Sequence, residues 1–259
     1  MTTWGLGEYP LMAEQLELAA IAVVDLADVQ SGDRVVDVAT GTGNAALVAA
    51  KRGADVVGVD FEPALLTLAG HRSAGLGLRV RWETADATAV PVPDSWADVV
   101  LSVFGVMYAG DQEAAAGELA RCAGPGARIV LASWVPGSFM PAMGSALSTF
   151  LSPPPPSSSP PSRWGDPNAL EGLVAPYGLG LVSHSTESLA LTFGSTGEAV
   201  NFLVRTAGHV VAERESLTAQ GRWGDLLVNL EELVEERGSR TESRVRVDLD
   251  YLLATITPR

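Results

Sequence analysis

The sequence predicts an α/β protein with a Rossmann-like, mostly parallel sheet and helices on both faces, and three observations carry that expectation. Short apolar runs, of the kind found in strands covered on both sides, alternate with stretches of helix formers between residues 35 and 135. The clearest unit, Val35 to Asp60 (VVDVATGTGNAALVAAKRGADVVGVD), reads as buried strand, glycine loop, helix and second buried strand ending on an acid. The chain has 259 residues and is 47% hydrophobic, enough for one well-packed α/β domain with insertions and short for two full domains.

Each element has its own signal. Leu11 to Asp28 has the spacing of an amphipathic helix, and Ser31-Gly32-Asp33 turns the chain into the first strand. Val35 to Val38 is apolar except for Asp37. Ala45 to Lys51 are good helix formers, stopped by Gly53 before the second strand at Val56 to Val59. Pro63 suits a first helical turn, and that helix is expected to run to about Arg72. Leu78 to Trp82 reads as the third strand and Ala97 to Val103 as the fourth, with Pro91 and Pro93 between them. A helix over Gln112 to Ala123, ended by Gly124-Pro125-Gly126, precedes a fifth strand over Ala127 to Val135. Asp166 and Pro167 mark a helix start, and Leu181 to Phe193 alternates as a strand does. Two further helices are expected over Thr196 to Arg214 and Ser216 to Arg237, then a last strand over Val245 to Ile256.

The glycine loop is where chemistry enters. Gly41 and Gly43 remove side chains where the chain turns sharply and where a ligand approaches the backbone. Gly41-Thr42-Gly43-Asn44-Ala45-Ala46 satisfies the dinucleotide pattern G-x-G-x-x-G/A, with Asp60 near the ribose-reading position. Asp37 argues against a dinucleotide. A carboxylate ending the first strand, just below the loop, repels a pyrophosphate and suits a cationic ligand.

Asp37-Val38-Ala39-Thr40-Gly41-Thr42-Gly43 resembles the first motif of class I S-adenosylmethionine-dependent methyltransferases, in wording nearest the ubiquinone/menaquinone C-methyltransferase-like (type 11) branch. Many class I enzymes have glycine where this chain has Ala39. Val57-Gly58-Val59-Asp60-Phe61 resembles the second motif, Thr84-Ala85-Asp86-Ala87 the third, Asp98-Val99-Val100-Leu101-Ser102 the fourth, and Gly124 to Val130 the turn into the fifth strand. The resemblance covers roughly Arg34 to Trp134. It implies a seven-stranded sheet whose last strand is antiparallel and inserted between the fifth and sixth. It also implies S-adenosyl-L-methionine as cofactor, held by Asp37, Ala39, Thr40, Gly41, Gly43, Asn44, Asp60, Phe61, Asp86, Ala87, Ser102 and Phe104. Asp60 takes the ribose, and Asp86 with the Ala87 amide reads the adenine edge. The whole of 1–259 is then one methyltransferase domain. Its core lies over about 15–135, 166–194 and 244–259, with lid or cap segments over about 1–14, 136–165 and 195–243.

Composition narrows the acceptor. Formal charge is −14, Lys51 is the only lysine against sixteen arginines, and no basic run of the kind that nucleic-acid binding needs appears. The expected acceptor is a small molecule, a secondary metabolite or quinone-like compound, and neither nucleic acid nor membrane. The most apolar stretch, Leu16 to Ala27, carries Glu17 and Asp25 and is too short to span a bilayer. No signal peptide is read at the amino end, and the single cysteine, Cys122, excludes an intrachain disulfide, which fits a bacterial cytoplasm. Three isolated histidines give no metal-ligand spacing, so no metal is expected. Oligomeric state is left open.

Residues that could face the acceptor are fewer. Tyr9 reads equally as a packing residue at a helix start or as a lid residue, and Tyr108 follows the fourth strand with a hydroxyl to offer. Both are candidates for orienting the acceptor. The apolar residues from Phe139 to Phe150, followed by a proline–serine run to Pro161, suggest an excursion that roofs the pocket. A cyclase or isomerase that only binds the cofactor, and a regulatory subunit on the same fold, remain the alternatives.

Overall fold

The strand expected at Val35 extends over Arg34–Val38 (β1) in the computed structural model, which describes residues 4–151, 159–241 and 243–259. Before it lie α1 (Tyr9–Gln15) and α2 (Glu17–Leu26), where one continuous helix was expected. The break falls at Leu16, where the chain passes from one compact unit to another. Next come α3 (Asn44–Lys51), β2 (Asp55–Asp60), α4 (Pro63–Gly75), β3 (Arg81–Thr84), β4 (Ala97–Val103), α5 (Gln112–Cys122) and β5 (Ala123–Trp134). The third strand starts three residues later than its apolar run, because only Arg81 onward pairs with β2. The fifth starts four residues earlier. Ala97 pairs with Ala123 and Val99 with Arg128, so the intervening glycine turn bulges out of the ladder.

After β5 the chain forms α6 (Phe139–Leu147), a helix within the stretch expected only as an excursion. Residues 152–158, which hold most of the proline–serine run, lie outside the described residues. Asp166 caps α7 (Pro167–Val174), accepting from the Asn168 and Ala169 amides. Then follow β6 (Leu179–Phe193), α8 (Thr196–Thr206), α9 (Gly208–Ala219), α10 (Trp223–Arg237), β7 (Ser239–Arg240) and β8 (Val245–Pro258). Two expected helices are therefore three. Ala207 is extended where α8 stops, and Gly221, at φ 70°, ends α9 in the left-handed conformation that glycine tolerates.

The sheet runs β3-β2-β1-β4-β5-β8-β6, with the two-residue β7 paired to β8. β1 to β5 are parallel, and β8 runs antiparallel to β5 from Ile129↔Ile256 to Trp134↔Tyr251. The expected insertion of the last strand between the fifth and sixth is present. Contacts divide the chain into two compact units. One holds Leu16–Pro136, the stretch up to Glu187 and Tyr251–Arg259, with a core of fully buried β1, β4 and β5 side chains such as Val35, Val36, Val99, Leu101, Ile129 and Val130. The other holds the amino-terminal stretch to Gln15, the segment from Gly137 and Ser188–Asp250. There α10 packs on α6 and α8 around buried Leu203, Leu226 and Leu230.

Candidate active site

The site of interest lies in the unit that contains the parallel strands, at their carboxyl ends. There the loop after β1 takes three left-handed turns, at Ala39 (φ 55°), Gly41 (57°) and Gly43 (82°). Alanine carries a Cβ into a conformation that favours glycine, so Ala39 stores strain. The loop is pinned to the sheet by the Thr40 amide donating to the Val59 carbonyl (2.9 Å), and it closes on itself where the Gly43 amide donates to the Thr40 carbonyl (2.9 Å).

Two buried carboxylates hold this loop. Asp37 is 1% exposed, and its Oδ2 accepts from Thr40 Oγ1 (2.5 Å) and from the Ala46 amide (3.0 Å) at the start of α3. Burial pushes its carboxyl up to about 7; the two hydrogen bonds oppose that shift and the neighbouring Asp60 charge adds to it. Among the described residues Asp37 is in no ion pair. Asp60, at the end of β2, accepts from the Gly41 amide (2.8 Å) and the Glu62 amide (2.9 Å), and burial raises its carboxyl against those bonds. Glu62 is itself buried, so a further carboxylate stands beside Asp60, a feature the sequence reading missed.

The glycines are explained by a neighbour that local pattern did not reveal. A Cβ on Gly43 would lie 2.5 Å from the Trp82 ring, and one on Gly58 2.3 Å from it. The indole of β3 therefore occupies the space that two glycines leave.

The remaining sequence candidates divide by what their side chains already do. Asp86 is exposed just past β3, and its Oδ1 accepts from the amide and hydroxyl of Thr88 (2.9 and 2.8 Å), which fixes the Asp86–Ala87 turn. Phe61 is 38% exposed. Asn44 Oδ1 accepts from Arg72 (2.7 Å). Ser102 is fully buried; its hydroxyl donates to the Val38 carbonyl (2.7 Å) and accepts from the Val106 amide (3.0 Å), so it braces the ends of β1 and β4.

Beyond β4 the site is aromatic. Phe104, also left-handed (φ 55°), stacks on Trp134 with centroids 3.6 Å apart and meets Tyr251 edge-on at 5.4 Å. Gly105 is required next to it, since a Cβ there would lie 2.5 Å from the Ala39 Cβ and 2.6 Å from its carbonyl oxygen. Tyr108 is 39% exposed as a residue, but its side chain is hydrogen-bonded to that of buried Trp134. Burial pushes the phenol up to about 12, so at neutral pH it is a hydrogen-bonding group and not a base. Tyr9 belongs to the other compact unit, where its ring meets Trp4 edge-on at 6.5 Å. Cys122 is fully buried with its thiol pushed up to about 11, as suits an inert core residue.

Known proteins resemble this chain in sequence and in fold. The family described as "Methyltransferase domain" matches residues 35–126. A protein of Mycobacterium tuberculosis described only as uncharacterised is 39% identical over 181 residues, 69% of this chain and 65% of its own length. The demethylmenaquinone methyltransferase of Thermus thermophilus is 44% identical over 115 residues, 44% of this chain and 52% of that protein. The chain thus spans 65% of the length of the first relative and about half of the second. Among solved structures, the YcgJ protein of Bacillus subtilis superposes with a TM-score of 0.65 at 17% identity, over 95% of this chain and 99% of that one. Motif order, sheet topology and these likenesses agree: residues 35–126 match a methyltransferase-domain family, and the chain shares its fold with the YcgJ protein.

Proposed function

We propose that this protein transfers the methyl group of S-adenosylmethionine to a small, quinone-like or otherwise largely apolar acceptor. The observation that carries the reading is Asp37, a buried carboxylate under the loop with no cationic side chain paired to it among the described residues. A buried carboxylate is stabilised by a counter-charge, and a ligand bearing an amine and a sulfonium brings one where a pyrophosphate would bring repulsion. Asp60 would take the ribose hydroxyls while keeping its bonds to the loop, and the fixed Asp86–Ala87 turn would take the adenine edge. The bound cofactor supplies an electrophilic methyl. What the chain supplies is placement, since in-line transfer depends on holding the reacting atoms about 3–3.5 Å apart. Tyr108, neutral and tethered to Trp134, would orient the acceptor.

Two facts support the acceptor class: the formal charge of −14, and the name of a relative that methylates demethylmenaquinone. Calorimetry tests the cofactor half. The protein should bind S-adenosylhomocysteine and not NAD; NAD binding without any response to the sulfur ligand would overturn the proposal. Labelled S-adenosylmethionine, incubated with a panel of naphthoquinols and a lipid extract, should pass its label to a small molecule. Label found only in protein or RNA would refute the acceptor class. Tight cofactor binding without transfer to any acceptor would favour a non-methylating or regulatory role.

A further inference from the structure

Arg72, in the last turn of α4, reaches back to the glycine loop from 28 and 30 residues away. Its Nη1 donates to the Thr42 carbonyl (2.7 Å), to Thr42 Oγ1 (3.1 Å) and to Asn44 Oδ1 (2.7 Å). These acceptors flank Gly43 on both sides, so a single guanidinium fixes the turn into α3. Among the described residues Arg72 is in no ion pair, and its charge goes entirely into hydrogen bonds to neutral acceptors.

The next residue of the same helix completes the grip. Ser73 Oγ accepts from Trp82 Nε1 (3.3 Å), and that indole fills the space beside Gly43 and Gly58. Consecutive residues of α4 thus hold the loop directly and hold the ring against which it rests. A loop with two left-handed glycines loses much conformational freedom when it is ordered around a ligand. A brace that orders it beforehand removes that cost from binding.

We propose that Arg72 is a positioning residue for the cofactor, fixing Thr42 to Asn44 in the conformation that receives it, with Trp82 as its backing. The proposal rests on the reading of this loop as the S-adenosylmethionine site. It assigns Arg72 no contact with the reacting atoms. Arg72→Met keeps the aliphatic stem and removes all three bonds, whereas Arg72→Lys keeps a charged donor.

The test is calorimetric affinity for S-adenosylhomocysteine, with the melting temperature of each ligand-free protein measured alongside. Arg72→Met should bind about tenfold more weakly with an unchanged ligand-free melting temperature, and Arg72→Lys should recover part of the loss. If the parent protein does not bind the ligand, the cofactor reading itself fails. If it binds and Arg72→Met binds equally well, this inference alone fails. It fails too if both variants lose affinity equally and melt at a lower temperature, since Arg72 would then only support the fold.

Discussion

At the scale of single residues, the site is defined by charges and dihedrals that are costly on their own. The Asp37 carboxyl is raised from 3.8 to about 7, so its folded form binds a proton more tightly than its unfolded form. Its contribution to stability is therefore fully present below about pH 4 and is lost as pH rises through about 7. Asp60 shifts in the same direction. Denaturant unfolding at pH 5 and pH 7.5 should show the ligand-free protein more stable at pH 5, and Asp37→Asn should narrow the difference. An equal difference in the variant would place the titration elsewhere. Ala39 gives a second prediction. A non-glycine residue in the left-handed region costs roughly 1–2 kcal/mol, and glycine's extra unfolded entropy returns about 0.5–1 kcal/mol of that. Ala39→Gly should stabilise the protein by about 0.5–1 kcal/mol, read as a higher melting temperature. Asp60→Ala, by removing charge-assisted bonds worth about 1.5–3 kcal/mol each, should weaken S-adenosylhomocysteine at least tenfold while the protein stays folded. An unchanged dissociation constant would separate the end of β2 from the ribose.

At the scale of elements, β2 and β3 are matched to each other through one ring. Gly58 pairs with Trp82 across the parallel ladder, and a methyl at Gly58 would meet that indole at 2.3 Å. Overpacking of this kind costs about 1–3 kcal/mol. Gly58→Ala should lower stability in that range, and Gly58→Ala combined with Trp82→Phe should lose less than the sum of the two single changes. Additive losses would show that the ring and the glycine do not share the space. The same reasoning accounts for the helix boundaries. The apolar pattern through residues 11–28 continues unbroken, yet its two halves pack in different units and the helix breaks between them.

For the whole molecule, charge is the property that most limits partners. A formal charge of −14, with one lysine and sixteen arginines, is the basis for proposing that nucleic acid is not a partner, since such binding needs cations to displace counterions. Electrophoretic mobility of duplex DNA and of structured RNA at low salt should be unaffected by micromolar protein. Salt-sensitive retardation would contradict the small-molecule reading. No described helix is long and apolar enough to cross a membrane. The two compact units differ in how they are built. One is a sheet with buried strands, and the other is made largely of α6, α8, α9 and α10 with the amino-terminal stretch tied in by the Glu8–Arg205 ion pair.

The sequence by itself determined what depends on neighbours a few residues apart. Apolar runs located β1, β2 and β4 to within a residue, Asp166-Pro167 announced α7, and the acids at residues 37, 60 and 86 were legible because strand ends and glycine turns carry local signals. Tertiary structure decided what depends on residues brought together from afar. Nothing local says that Trp82 fills the space of Gly43 and Gly58, that Arg72 bonds to Thr42 and Asn44, or that Ser102 joins β1 to the turn after β4. Nor does periodicity reveal that Ala39 and Phe104 are both left-handed, since the surrounding packing imposes those dihedrals against the residues' own preference. Strand and turn propensities act over a few residues of chain; the shape of this site is set by contacts such as Gly41–Asp60 and Val38–Ser102, 19 and 64 residues apart, which only the folded chain makes.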